Sequence, residues 1–282
     1  MAEAVEKDVI LVAVDGSRVS RKALDIAVSL AAVRDKHLIV YHVWNRDKSN
    51  AGIYNPQYLE IEFTSVCYKG NLLTENFDVI VEERVGGYSI SKMILDKVNE
   101  RGVALLCLGA FGRKGPSVWS CGSNANHSLR NCPVTVLTAK ANSDVILSPF
   151  AANFMVGHDG SVRAQKAMDI VKRFSKPQDQ VVVVNIVDEW LQARGFDVNK
   201  LLREAKAELE SCGVKNVSVF SPMKDRGMTI GQQILSLAND CNATYLVVGL
   251  DGMTNNRKEC DVLGSVTDFV VQKSRCTSIV AR

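Results

Sequence analysis

The chain repeats itself. Ile10-Leu11-Val12-Ala13-Val14-Asp15-Gly16-Ser17 runs on to Lys22-Ala23-Leu24-Asp25-Ile26, and Phe154-Met155-Val156-Gly157-His158-Asp159-Gly160-Ser161 runs on to Lys166-Ala167-Met168-Asp169-Ile170, each residue 144 positions after its counterpart. A second pair, Leu105 to Gly112 and Tyr245 to Gly252, lies 140 apart, and Gly122-Ser123 precedes Gly264-Ser265 by 142. Three matched segments in one order at nearly constant spacing mark a duplicated domain. The expected units are residues 1–141 and 142–282, joined within Lys140-Ala141-Asn142-Ser143-Asp144, and a length of 282 residues suits two domains.

Within each half, short β-branched runs alternate with segments of helical period, the pattern of a parallel sheet with crossover helices. Strands are expected at about 8–14, 37–43, 78–84, 103–109 and 133–138, then at 153–158, 180–187, 214–220, 243–249 and 277–281. Ile10 to Val14 and Val181 to Val184 are apolar without alternation, as strands buried on both faces are. The expected fold is therefore two doubly wound, five-stranded, Rossmann-like α/β domains in tandem, each with strand order 3-2-1-4-5. Ser17 and Ser161 stand where helix N-caps belong, and Ala23, Leu24, Ala27, Leu30 and Ala31 trace one helical face. Residues 55–76 are only weakly periodic, whereas Leu201 to Leu209 is strongly helical by composition and ends at Gly213.

Composition narrows the function classes. Against 34 basic and 31 acidic residues the net charge is +3, with no block of one sign, which disfavours nucleic acid and membrane surfaces as partners. The segment from Met1 to Asp8 lacks the basic and apolar regions of a secretory signal, and no apolar run reaches the ~20 residues that span a bilayer. Eight cysteines without a CxxC pair suggest free thiols in a reducing compartment, so a cytoplasmic location is expected.

In an open parallel sheet, ligands bind beyond the carboxyl ends of the strands where neighbouring connections diverge, here the loops after strands one and four. Those loops are what the halves share. In the first, Gly109-Ala110-Phe111-Gly112 is followed after nine residues by Gly122-Ser123. Glycines let backbone amides approach phosphate oxygens, and a helix starting at Ser123 would aim its positive end at the same anion. Ser123 could add a hydroxyl, Arg113 and Lys114 a charge, and Asp15 could accept from ribose hydroxyls. Each piece also has a purely structural reading: Asp-Gly-Ser after a strand makes a tight turn and helix cap, and paired glycines are common in loops.

Together, twice and in register, these residues resemble the universal stress protein family, whose members share a strand ending in a Val-Asp-like pair and a G-x-x-G, nine residues, G-[S/T] loop that cradles ATP in nucleotide-binding members. The resemblance spans nearly the whole chain. It implies that Ala13 and Asp15 hold base and ribose, that the main chain of Val43 meets adenine, and that Gly109, Gly112, Arg113, Gly122, Ser123, Asn124 and Ala125 surround the phosphates. In the second half the corresponding set is Asp159, Val187, Gly249, Gly252, Gly264, Ser265, Val266 and Thr267. The implied ligand is ATP or AMP, with magnesium a candidate companion to the phosphates.

The departures are unequal. Asn124 stands where the family has an apolar residue, and the run from Gly122 to Cys132 suggests a shortened fourth helix in the first half. In the second half eleven residues separate Gly252 from Gly264, with Asp251, Glu259 and Asp261 in the loop. The first half is the favoured nucleotide site on these grounds. His42 and His158 are expected to be structural, His127 follows the phosphate loop, and Trp119 could cover a ligand.

No GxxxxGK[ST], GxSxG, HExxH or kinase signature occurs, and no general base stands near the glycine loop, so any ATP hydrolysis should be slow. The expected function is an adenine-nucleotide-binding regulator of the stress-response type. The alternative is an interaction module whose sites no longer bind. The halves are expected to pack through their last strands, Val134 to Leu137 against Thr277 to Val280, and homo-oligomers or protein partners remain open.

Overall fold

The structure, a computed structural model, describes residues 8–32, 36–45, 55–113, 115, 121–141, 151–189, 193, 195–253 and 262–282. Lys114, Trp119, Glu259, Asp261 and the join at 142–144 lie outside them.

The first half runs β1 (Val9–Ala13), α1 (Arg18–Ala32), β2 (His37–Trp44), α2 (Pro56–Lys69), β3 (Phe77–Glu83), α3 (Ile90–Glu100), β4 (Val103–Gly109), α4 (Ser123–Asn131) and β5 (Thr135–Ala139). The second runs β6 (Asn153–Gly157), α5 (Val162–Phe174), β7 (Gln180–Val184), α6 (Val198–Ser211), β8 (Asn216–Phe220), α7 (Ile230–Asp240), β9 (Tyr245–Gly249), α8 (Ser265–Lys273) and β10 (Thr277–Ala281). The ten strands form one sheet in the order β3-β2-β1-β4-β5-β10-β9-β6-β7-β8, so each half has the 3-2-1-4-5 order. Every pairing is parallel except at the seam, where β5 meets β10 antiparallel with Val136 opposite Val280, Leu137 opposite Ile279 and Thr138 opposite Ser278. The pairing of last strands is thus the one the sequence suggests.

Ile10, Leu11 and Val12 are fully buried because helices cover both faces of the sheet. Alternate side chains of β1 go to opposite layers: Ile10 and Val12 pack with Leu24 and Ala27 of α1, Leu11 with Ile94 of α3 and Leu129 of α4. Both apolar layers continue across the seam, Ile10 sharing one with Val156 and Leu11 the other with Met155. Each large aliphatic side chain so buried contributes roughly 1.5–3 kcal/mol.

Two expectations need correction, and one weak signal resolves. β7 stops at Val184 instead of Val187, because Pro222 opposite has no N–H to give the Asn185 carbonyl; pairing resumes only as the isolated bridge Val187–Met223. The weak period at 55–76 resolves into α2, capped by Asn55 and ending at Gly70, and a 3-10 turn at Thr74–Asn76. Its weakness reflects Tyr58 and Ile61, which lie on the exposed side of α2. The fourth helix of the first half is not shortened: α4 and α8 both have nine residues. No described helix is long and apolar enough to cross a membrane, and the seven described cysteines are free.

Candidate functional site

The turn after β1 is built around Asp15. Gly16 takes φ 78°, which places the next amide back over the carboxylate. Asp15 Oδ1 accepts from the Ser17 amide at 3.0 Å, and Oδ2 accepts from the Arg113 amide in the β4 loop at 3.2 Å. Burial pushes the carboxyl pKa up, but hydrogen bonds from Ser17, Ser20 and Arg113 outweigh it and hold the group below its ordinary value. Asp159 accepts the matching pair of backbone bonds, Oδ1 from the Ser161 amide at 2.9 Å and Oδ2 from the Met253 amide at 2.9 Å. Each acid therefore pins the first turn of its half to the loop after the fourth strand. The Ser17 hydroxyl accepts from the Ser20 amide and that of Ser161 from the Ala164 amide, both at 3.1 Å, as expected of N-caps.

The glycines have internal reasons to be glycine. A Cβ on Gly109 would lie 2.8 Å from the Ser20 nitrogen, and one on Gly249 would lie 2.8 Å from the Arg163 carbonyl carbon, so these residues let α1 and α5 rest directly on β4 and β9. A Cβ on Gly112 or Gly252 would come within 2.7 Å of the carboxylate of Asp15 or Asp159. Gly122 differs: its added Cβ would meet nothing closer than 3.5 Å, an ordinary contact. Its amide donates to the Ala110 carbonyl at 2.7 Å, as that of Gly264 does to Leu250 at 2.9 Å, and so closes the loop.

From these glycines α4 and α8 start without a side-chain cap. Their first i to i−4 bonds are Asn126 to Gly122 and Asp268 to Gly264. The amides of Ser123, Asn124 and Ala125, and of Ser265, Val266 and Thr267, thus have no intrahelical acceptor and make the positive end of each helix. Thr267 turns its hydroxyl inward to the Gly249 carbonyl at 2.7 Å.

A cavity of about 400 Å³ opens beside α8, in the half that the sequence favours less. Asp159, Gly249, Gly252, Gly264, Ser265, Val266 and Thr267 all line it; Val187 does not. The register explains the miss. Ala13 pairs with Tyr41 and Gly157 with Val184, so the equivalent of Val43 is Ile186, which does line the cavity with Val184, Ile230 and Ile234. In the first half, Ala13, Val43 and Ala125 join one apolar layer with Cys121, and the Arg113 side chain folds back to donate to the Asp15 carbonyl.

His42, expected to be structural, and Asn185, which no motif in the sequence marks, follow the β1 and β6 pairing partners Tyr41 and Val184. His42 Nδ1 bonds the Val14 carbonyl at 2.6 Å, and Asn185 Nδ2 donates to the equivalent His158 carbonyl at 2.8 Å. Burial pushes the pKa of His42 and of His158 down, so both are neutral imidazoles inside the fold. His127 lies exposed on α4, its carbonyl bonded by Asn131, away from the glycine loop. Among the described residues no group of His, Cys, Asp and Glu is disposed to hold a metal. What the arrangement offers is an anion-attracting helix end beside a chamber walled on one side by Ile186, Ile230 and Ile234 and lined also by the carboxylates of Asp159, Asp188 and Asp251.

Comparison with known proteins agrees with this geometry. The sequence profile of the universal stress protein family matches residues 7–140 and again 152–282. Universal stress protein YxiE of Bacillus subtilis is 32% identical over 142 residues, which cover 45% of this chain and 96% of that protein. A crystal structure of a universal stress protein from Archaeoglobus fulgidus superposes with a TM-score of 0.67 at 17% identity, over 98% of this chain and 99% of that one. A functionally unknown protein from Pseudomonas aeruginosa PAO1 follows at 0.65 and 12%, covering 98% and 92%. With the duplicated sheet, the paired turns and two matches to one profile, the chain belongs to the universal stress protein family and carries that family's domain twice.

Proposed function

We propose that the protein binds an adenine nucleotide, ATP or AMP, as a regulator in a stress response, with residues 1–141 and 142–282 as its two binding domains. The observation that carries this reading is the cavity at the uncapped N-terminus of α8, where Ser265, Val266 and Thr267 amides face a chamber walled by Ile186, Ile230 and Ile234. The Ile186, Ile230 and Ile234 wall suits a purine, one of the lining carboxylates, Asp159, suits ribose, and the helix end suits phosphate, with Asp188 and Asp251 also in the lining. Gly122 supports an equivalent role for the first half, since no protein atom requires the absence of its side chain. Binding to the native state alone would stabilise it by mass action, which lets occupancy bias a conformation that partners read. Magnesium would accompany the phosphates.

A second reading keeps one specific support. Gly109, Gly112, Gly249 and Gly252 are required by the protein's own packing, so their presence is equally compatible with an interaction module that binds no nucleotide. Denaturing protein purified without added nucleotide and analysing the supernatant separates the two. Release of near-stoichiometric ATP or AMP, lost in Gly264→Val or Gly122→Val, is the expected result and names the working half. An empty protein that also ignores added ATP favours the interaction module.

A further inference from the structure

Directly after its last strand, each half carries a cation that reaches into the other. Lys140 follows β5 and Arg282 follows β10, 142 positions apart like Gly122 and Gly264. The Lys140 ammonium donates to the main-chain carbonyl of Val271 in α8, and Arg282 Nη2 donates to that of Leu129 in α4 at 2.8 Å. Leu129 and Val271 are again 142 apart. In each helix this is the first carbonyl beyond the last intrahelical bond, since the Cys132 amide goes to Ser128 and the Ser274 amide to Val270. A helix leaves such carbonyls unsatisfied, and a cation there is favoured by the negative end of its dipole.

The seam is built to hold these contacts. Lys140 is 4% exposed, and its ammonium lies 3.8 Å from the sulfur of Cys121, the residue before Gly122. Arg130 of α4 and Asp268 of α8 pair at 3.0 Å and tie the two helices together. These are the helices whose opposite ends face the candidate nucleotide sites, nine residues or roughly 13 Å away.

Resting on the nucleotide reading above, we propose that Lys140 and Arg282 are crossed positioning residues: Arg282 of the second half tunes the first half's site, and Lys140 of the first tunes the second's. Each fixes its helix along the axis and offsets the helix's negative end, so the far end presents a stronger positive field to a phosphate. Neither site is then complete without the other half. The exchange follows from the antiparallel seam, which brings the end of each last strand beside the other half's fourth helix.

The test uses the full chain with magnesium ATP as probe, in a Gly264→Val background that leaves the first site and a Gly122→Val background that leaves the second. Arg282→Met is expected to weaken binding roughly three- to tenfold in the first background and leave the second unchanged; Lys140→Met is expected to do the reverse. Arg282→Lys and Lys140→Arg should restore most of the loss. One working site suffices, because only one of the two cations then matters. Equal losses in a background from both variants, or none from either, overturn the crossed roles and leave the cations as seam contacts. Should Lys140→Met fail to fold, Lys140→Gln takes its place in the same backgrounds. A parent chain that binds no ATP overturns the nucleotide reading and the crossed roles together, whereas binding with an uncrossed pattern overturns the crossed roles alone.

Discussion

The two halves agree where the backbone must be held and differ where a visitor would be met. Asp15 and Asp159 make the same two contacts, and Gly109 and Gly249 meet the first helix of their own half, α1 and α5, at the same 2.8 Å. On the rim the pattern changes: Phe111 and Arg113 in the first half become Asp251 and Met253 in the second. Arg163 lies 3.8 Å from Asp251, an ion pair for which Phe111 has no charge. Duplication has thus left the shared residues to the scaffold, while rim residues have diverged in sign and shape. Residues that repeat are the weaker guide to ligand here, and those that do not repeat are the stronger guide to how the halves differ in use.

That comparison can be broken most severely at the close-packed glycines. Gly109→Ala and Gly249→Ala each force a methyl to within 2.8 Å of helix backbone and should each lose about 2–3 kcal/mol in urea unfolding. Losses of clearly different size would show that the halves are not equivalent scaffolds. Next come Asp15→Asn and Asp159→Asn, each expected to lose about 2 kcal/mol at neutral pH because an amide group replaces one acceptor oxygen facing a backbone N–H. For Asp15 the sign with pH follows from its depressed folded pKa. Its contribution is fully present above the unfolded value near 4 and is lost as pH falls through the folded one, so Asp15→Asn should flatten the acid side of the stability profile. An unchanged acid limb would show that the tie to Arg113 does not depend on charge. The smallest effect sharpens the asymmetry: Thr267→Val removes the bond to the Gly249 carbonyl and should lose about 1 kcal/mol, whereas Ala125, its counterpart, has no such bond to lose.

The fold was legible in the sequence because its determinants are local and doubled. Unbroken apolar runs such as Ile10 to Val14 define buried strands, and Asp-Gly-Ser defines the turn and cap that follow. The site was legible only in part, for a physical reason: a missing Cβ at Gly109 or Gly112 serves a phosphate or a packed helix equally well, and only coordinates reveal that Ser20 and Asp15 occupy the space. Val187 was read one residue late because nothing marks the end of β7 in sequence, and the proline that ends it lies on β8's extension, at position 222. The cavity of the second half was hidden for the same reason, since its walls at Ile186, Ile230 and Ile234 come from segments that no motif connects.

The antiparallel seam has a further consequence. When two separate copies meet at such a strand, every substitution strikes both sides at once, and assembly depends on how much protein is present. Here one covalent chain supplies both sides, so the partner is always at hand and dilution cannot part them. Each side of the seam can also change alone, and it has done so: a lysine stands on one side and an arginine on the other, at positions that an identical pair would be compelled to share.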